Sequence, residues 1–164
     1  MALVIETGQV VPGADSFATA AELVTYAANF GKTVPVDEVA QEALLRRAAL
    51  EMSSMPWKGY EVSPHQALAW PRARVKRGQW IAPSDEIPAQ IKAGQLALAT
   101  EIHADDLVDP NTKTGAIVSE TVGPISTTFA VASANVSKPA ASRQSYAQFT
   151  GFLESSSQVA LLRS

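Results

Sequence analysis

Residues 66–80, QALAWPRARVKRGQW, constrain this chain more than any other stretch. Helical periodicity stops before them and resumes after them. They hold two of the three tryptophans, four of the thirteen Lys and Arg residues, and no acid. In the wider span 57–83, Pro64, Pro71 and Pro83 with Gly59 and Gly78 exclude long regular elements, because proline fixes φ and removes a backbone donor. A structureless loop of this length is uncommon inside a compact domain. Tryptophan carries a large apolar area that argues for burial. The span is therefore expected to be a long ordered arm, anchored by Trp57, Trp70, Pro71 and Trp80. Arg72, Arg74, Lys76 and Arg77 give it a basic rim.

The flanking sequence reads as mainly α. Residues 1–15 look extended. Thr19 and Glu22 have capping-box spacing, and Leu23, Tyr26, Ala27 and Phe30 follow on one face, which predicts a helix over about 20–30. Asp37 suits an N-cap. Val39, Ala43, Leu44, Arg47, Ala48 and Met52, extended by Leu50 and Met55, predict a second helix over 37–55 that Pro56 ends. Pro88 opens a third helix over 88–107, with Ile91, Gly94 or Gln95, Leu98 and Ile102 as its stripe. Gly94 is unfavourable in a helix interior, so a close backbone approach is expected there. Alternating β-branched residues then predict a hairpin over 116–131, with strands at 116–122 and 125–131 around Gly123-Pro124. A polar linker leads to a short helix bearing Tyr146, Phe149, Phe152 and Leu153, and a serine-rich tail ends in Val159-Ala160-Leu161-Leu162. The fold class expected is a small bundle of three to four helices with a long ordered arm and an inserted β-hairpin.

Composition narrows the function. The chain of 164 residues suggests one domain. A net charge of −3 argues against a general polyanion binder, so any nucleic-acid contact needs a local patch. The absence of cysteine excludes disulfides, thiolate metal sites and cysteine nucleophiles. His65 sits in a proline-rich turn, and His103 precedes Asp105 and Asp106 at a helix end. Neither has the adjacent base and orienting group that nucleophilic catalysis needs. No phosphate-binding loop or paired-carboxylate motif appears. The chain is expected to be non-enzymatic, with no cofactor and no metal. It has no apolar run long enough to cross a bilayer and no basic-flanked leader, so no membrane association is expected.

Four parts of the sequence together resemble the head-to-tail adaptor, or connector, proteins of tailed bacteriophages, many of which carry the label DnaT-like single-stranded-DNA-binding protein. The first is Ala14-Asp15-Ser16-Phe17-Ala18-Thr19, where the family more often has tyrosine for Phe17. The second is Ala43-Leu44-Leu45-Arg46-Arg47-Ala48, followed by Trp57-Lys58-Gly59. The third is Gln66-Ala67-Leu68-Ala69-Trp70-Pro71-Arg72 with Ile87-Pro88. The fourth is residues 118–125, VSETVGPI, where Thr121 replaces the usual lysine. The resemblance covers about residues 15–131 and is specific only in combination. It implies a ring, twelve-fold in the relatives, seated on the portal protein in the virion at the head-to-tail junction. Such a ring extends the DNA channel, lets double-stranded DNA pass without sequence specificity during genome ejection, and presents a face to the next tail or head-completion protein. It also implies that Phe149, Phe152, Leu153, Val159, Leu161 and Leu162 form a tail that docks on the portal.

Three readings follow. In the first, the chain is a structural adaptor, and the basic run Arg72, Arg74, Lys76 and Arg77 faces a partner, solvent or the channel. In the second, it is a single-stranded-DNA-binding accessory of phage replication, because aromatics interleaved with cations suit base stacking beside a charged groove. In the third, it is a small helical interaction domain.

Overall fold

The computed structural model describes residues 2–106, 119–122, 125–128 and 143–154. Helix α1, Ala20–Asn29, begins with a capping box. The Thr19 hydroxyl accepts from the Glu22 N–H at 3.2 Å, and the Glu22 carboxylate accepts from the Thr19 N–H at 2.8 Å. This satisfies two amide groups that a helix start otherwise leaves unpaired. Ala20, Leu23, Tyr26 and Ala27 are buried. Phe30, expected on the same stripe, is half exposed and stacks on Tyr26.

Helix α2, Glu38–Ser53, is capped by Asp37, whose carboxylate accepts from the Ala40 N–H at 3.0 Å. Its buried face is Leu44, Leu45, Ala48, Ala49 and Met52. The expected stripe is corrected here: Val39 is 66% and Leu50 74% exposed, and Ala43 lies outside the core. The helix is rich in alanine and leucine on every side, so periodicity alone leaves its rotation open. Packing against α3 selects the Leu45–Met52 side.

Helix α3, Ala89–Asp106, is the axis on which α1, α2 and α4 pack. Pro88 precedes it, and the Pro88 carbonyl accepts from the Ile91 N–H. Residues 94–100 are buried all round, as expected for a helix covered on several sides. Helix α4, Gln144–Phe149, lies against α3 where Gly94 removes the side chain. A Cβ at Gly94 would run into the Phe149 ring. The close approach is thus made by an aromatic side chain rather than by backbone. Gly94→Ala should therefore lower stability by about 1–3 kcal/mol, the usual cost of overpacking. Urea titration measures this, and faster amide exchange across residues 144–149 would trace it to α4.

The arm contains two small antiparallel pairs. Strand β1, Tyr60–Glu61, pairs with β2, Arg72–Ala73. Strand β3, Lys76–Arg77, pairs with β4, Trp80–Ile81, through the two-residue turn Gly78-Gln79. Strands β5, Ser119–Val122, and β6, Ile125–Thr128, form the third pair, with Val122 opposite Ile125. The rest of the expected hairpin, residues 116–118, 123–124 and 129–131, lies outside the described residues. The architecture is mainly helical with a small β-hairpin insert.

Candidate functional site

Three of the four parts that carry the resemblance, all but residues 118–125, meet in space. Asp15 and Arg46 form an ion pair, with Arg46 Nε 2.7 Å from the Asp15 carboxylate. The second Asp15 oxygen accepts from the Val4 N–H at 2.8 Å. Gln95 of α3 joins the opening segment to α2. Its side-chain oxygen accepts from the Phe17 N–H at 2.9 Å, and its NH2 donates to the Leu45 carbonyl at 2.9 Å and the Ser16 hydroxyl at 3.0 Å.

The tryptophan-lysine-glycine piece and the QALAWPR stretch meet in an aromatic cluster. Trp57 is edge-on to Trp70 at 5.8 Å and to Phe149 at 5.1 Å, and Trp70 is edge-on to Phe152 at 5.6 Å. Edge-to-face geometry at these spacings is favourable beyond area burial alone. Trp57 Nε1 donates to the Met52 carbonyl at 2.6 Å. Pro71 follows a cis peptide bond and is fully buried with Trp70. Gly59, at φ +72°, lies so close to the Ala73 carbonyl that any side chain would collide with it. The Gln66 amide folds the arm on itself, donating to the Leu68 and Pro71 carbonyls and accepting from the Val62 N–H.

Four sequence-level assignments change. Arg72 is not a free contact residue. Its guanidinium donates to the Lys58 and Gly59 carbonyls at 3.0 Å each and lies near Glu61, so it serves the arm's own backbone. Trp80 is not an anchor: its ring is 82% exposed, because the short β3–β4 turn carries it out past the core. Phe149 and Phe152 are not free to dock on a partner, since they are buried in this chain's own core. Leu153, half-buried, is held in a bridge to Trp57. Val159, Leu161 and Leu162 lie outside the described residues.

What remains exposed is a compact tip. Trp80 pairs with Arg77, and Ile81 with Lys76, across β3–β4. Ile81 is 69% exposed. Arg77 also lies over the Phe152 ring, 5.1 Å from its centroid. Arg74, at φ +56°, turns its guanidinium over Tyr60 at 5.8 Å, and Tyr60 is itself half exposed. Lys76 makes no ion pair among the described residues. Beside the tip runs a groove of about 390 Å³, bounded by Trp80, Ile81, Pro83, Pro88 and Phe152, with Arg77 and Glu86 among its charged residues. No group of acids and histidines among the described residues could hold a metal ion. No helix among them is long and apolar enough to cross a membrane.

A family model described as "Putative DnaT-like ssDNA binding protein" matches residues 1–164. The chain belongs to that family. No curated protein and no solved structure matches it.

In this member of the DnaT-like family, two polar residues of structural weight escape a sequence reading. Gln95 is one: it stands on a helical stripe, and an amide there carries no local sign of its partners. Glu6 is the other. It is 2% exposed, and its carboxylate accepts from the Gly8, Val10 and Val11 N–H groups at 2.8, 3.1 and 2.8 Å. Gly8, two residues on, is the one local hint of a turn folding back on that acid.

Proposed function

We propose that this chain is a structural head-to-tail adaptor of a tailed bacteriophage, and that the β3–β4 tip is its contact surface for a protein neighbour. The observation that carries this reading is the apolar tip itself. Trp80 and Ile81 stand exposed on the two faces of β4, at the end of an arm fixed by buried Trp57, Trp70 and Pro71. Exposed aromatic residues beside an apolar groove are the usual make-up of a protein-binding hot spot. Three of the four segments that resemble adaptor proteins are spent on building the domain, through Asp15–Arg46, Gln95 and the aromatic cluster. On this reading the copies form a ring on the portal, and double-stranded DNA passes through. The test is quantitative mass spectrometry of gradient-purified particles of the phage that encodes the chain. A copy number equal to that of the portal supports the adaptor. Abundance in infected cells with absence from particles overturns it.

A second reading is favoured by two observations and by the family's description, which points to single-stranded DNA. Trp80, paired with Arg77, and half-exposed Tyr60, beneath Arg74, place exposed aromatic rings next to cations, with Lys76 on the neighbouring strand. This is the elementary unit of base stacking beside a charged track. It predicts that a fluorescent oligonucleotide binds and that affinity falls with salt, with a log–log slope of about −2 for three neutralised phosphates. Trp80→Ala should then weaken binding by about 1–3 kcal/mol, the value of one stacked base. Fluorescence anisotropy at several salt concentrations measures both. Undetectable binding at low salt would remove this reading.

A further inference from the structure

We propose that the neighbour met by the β3–β4 tip is a second copy of this chain, which receives the tip on the outward face of α2. The proposal rests on the adaptor reading and names the partner of its contact surface.

The receiving face is an apolar row on a helix. Val39, Ala43 and Leu50 fall within about 40° of one another at the helical repeat, so they share one side of α2. All three are exposed, and Val36, just ahead of the helix, is wholly so. The side that carries Leu45 and Met52 is the one buried against α3. A helix covered on one side ordinarily turns polar residues outward. An exposed apolar row about 16 Å long departs from that pattern and marks a contact surface. The two arginines near the row are engaged within the chain, Arg46 with Asp15 and Arg47 with Asp106. The acids at its borders, Asp37, Glu38 and Glu51, are exposed and make no ion pair among the described residues.

The tip has the same apolar character and the opposite sign. Trp80 and Ile81 stand beside Arg74, Lys76 and Arg77, in a stretch without an acid. Glu86 is the one acid along the adjoining groove. Copies of a chain with net charge −3 repel on average, so their attraction has to come from a local complement. Tip on tip sets cations against cations, and α2 on α2 sets acids against acids. Tip on α2 joins apolar to apolar and opposite charges at the rim.

The two surfaces also lie on different sides of the domain. Helices α2 and α4 both pack on α3 and not on each other. The tip sits beyond α4, where Arg77 covers the Phe152 ring and the groove reaches Pro88 ahead of α3. Each copy therefore offers a tip and a receiving face at once. A contact between unlike patches repeats from copy to copy, and it closes into a ring when the rotation allows.

The chain has no cysteine, so introduced thiols are its only ones. Gln79→Cys/Ala43→Cys places one on the exposed β3–β4 turn and one on the exposed α2 row. Particles assembled with this variant are gradient-purified and treated with a short bismaleimide. A ladder at multiples of 17.3 kDa is expected on a denaturing gel, and neither single-cysteine variant should give it. Dimers from Gln79→Cys alone would mean tip on tip and overturn the proposal. The double variant at wild-type copy number without a ladder overturns the pairing and leaves the adaptor reading standing. Absence of the wild-type chain from particles overturns that reading, and the pairing with it. Charge reversal tests the pairing without thiols. Arg74→Glu/Lys76→Glu should cut the copies per portal by about tenfold or more, because like charges then face each other. Adding Glu38→Lys/Glu51→Lys to the same chain should restore them. An unchanged copy number in the first variant, or no recovery in the second, counts against α2 as the receiving face.

Discussion

Trp70→Ala is expected to lower the unfolding free energy by about 3–5 kcal/mol, the range for removing a large buried aromatic residue. For a chain of this size that corresponds to a fall of roughly 10–15 °C in melting temperature. The ring is fully buried and touches both Trp57 and Phe152, so its loss opens a cavity between the arm and the C-terminal helix. Its Nε1 finds no acceptor among the described residues, so the contribution comes from ring area and packing rather than a hydrogen bond. Trp70→Phe should therefore keep much of the stability that Trp70→Ala loses. Trp80→Ala, at an exposed site, should stay within about 0.5 kcal/mol of wild type. Urea titration of the three variants checks the ranking. Equal destabilisation by Trp70→Ala and Trp80→Ala would show that the two tryptophans are not divided between core and surface as described.

Gln95→Leu should cost about 2–4 kcal/mol despite its similar volume. Each buried polar group left without a partner costs about 1–3 kcal/mol. The Phe17 N–H relies on this amide, which is itself fully buried, while the Ser16 hydroxyl keeps its bonds to Ala18. Gln95→Glu should be worse than Gln95→Leu, since it places a charge in the same apolar surroundings. Chemical denaturation orders the two. A neutral Gln95→Leu would mean that the opening segment holds its place by apolar packing alone.

The sequence makes the helix starts legible because the signals there are local. Thr19 with Glu22, Asp37 and Pro88 each act on backbone groups within a turn of themselves, and each stands where its chemistry places it. What a sequence leaves open is decided by distant neighbours. The apolar neighbours Leu68, Ala69 and Pro71 point to burial of Trp70, but nothing local shows that Trp80 is carried outward on a two-residue turn. Arg72 and Lys76 look alike in the basic run, yet one is spent on carbonyls of the preceding segment and the other is exposed. Phe149 fits a docking tail equally well until Gly94 is seen to make room for it. The site is correspondingly half legible: the right stretch is marked, and the division of its side chains between scaffold and surface is not.

The contact between Glu101 and Ser145 has a bearing on how such proteins diversify. The Ser145 N–H and hydroxyl donate to the Glu101 carboxylate at 3.1 and 2.6 Å, which fastens the end of α3 to the beginning of α4. The described residues that flank 107–142 in sequence are thus held close to each other. Closing a longer excursion between fixed points costs little, about 0.6 kcal/mol for each doubling of length. Between anchors held in this way, sequence length can change while the helices keep their core.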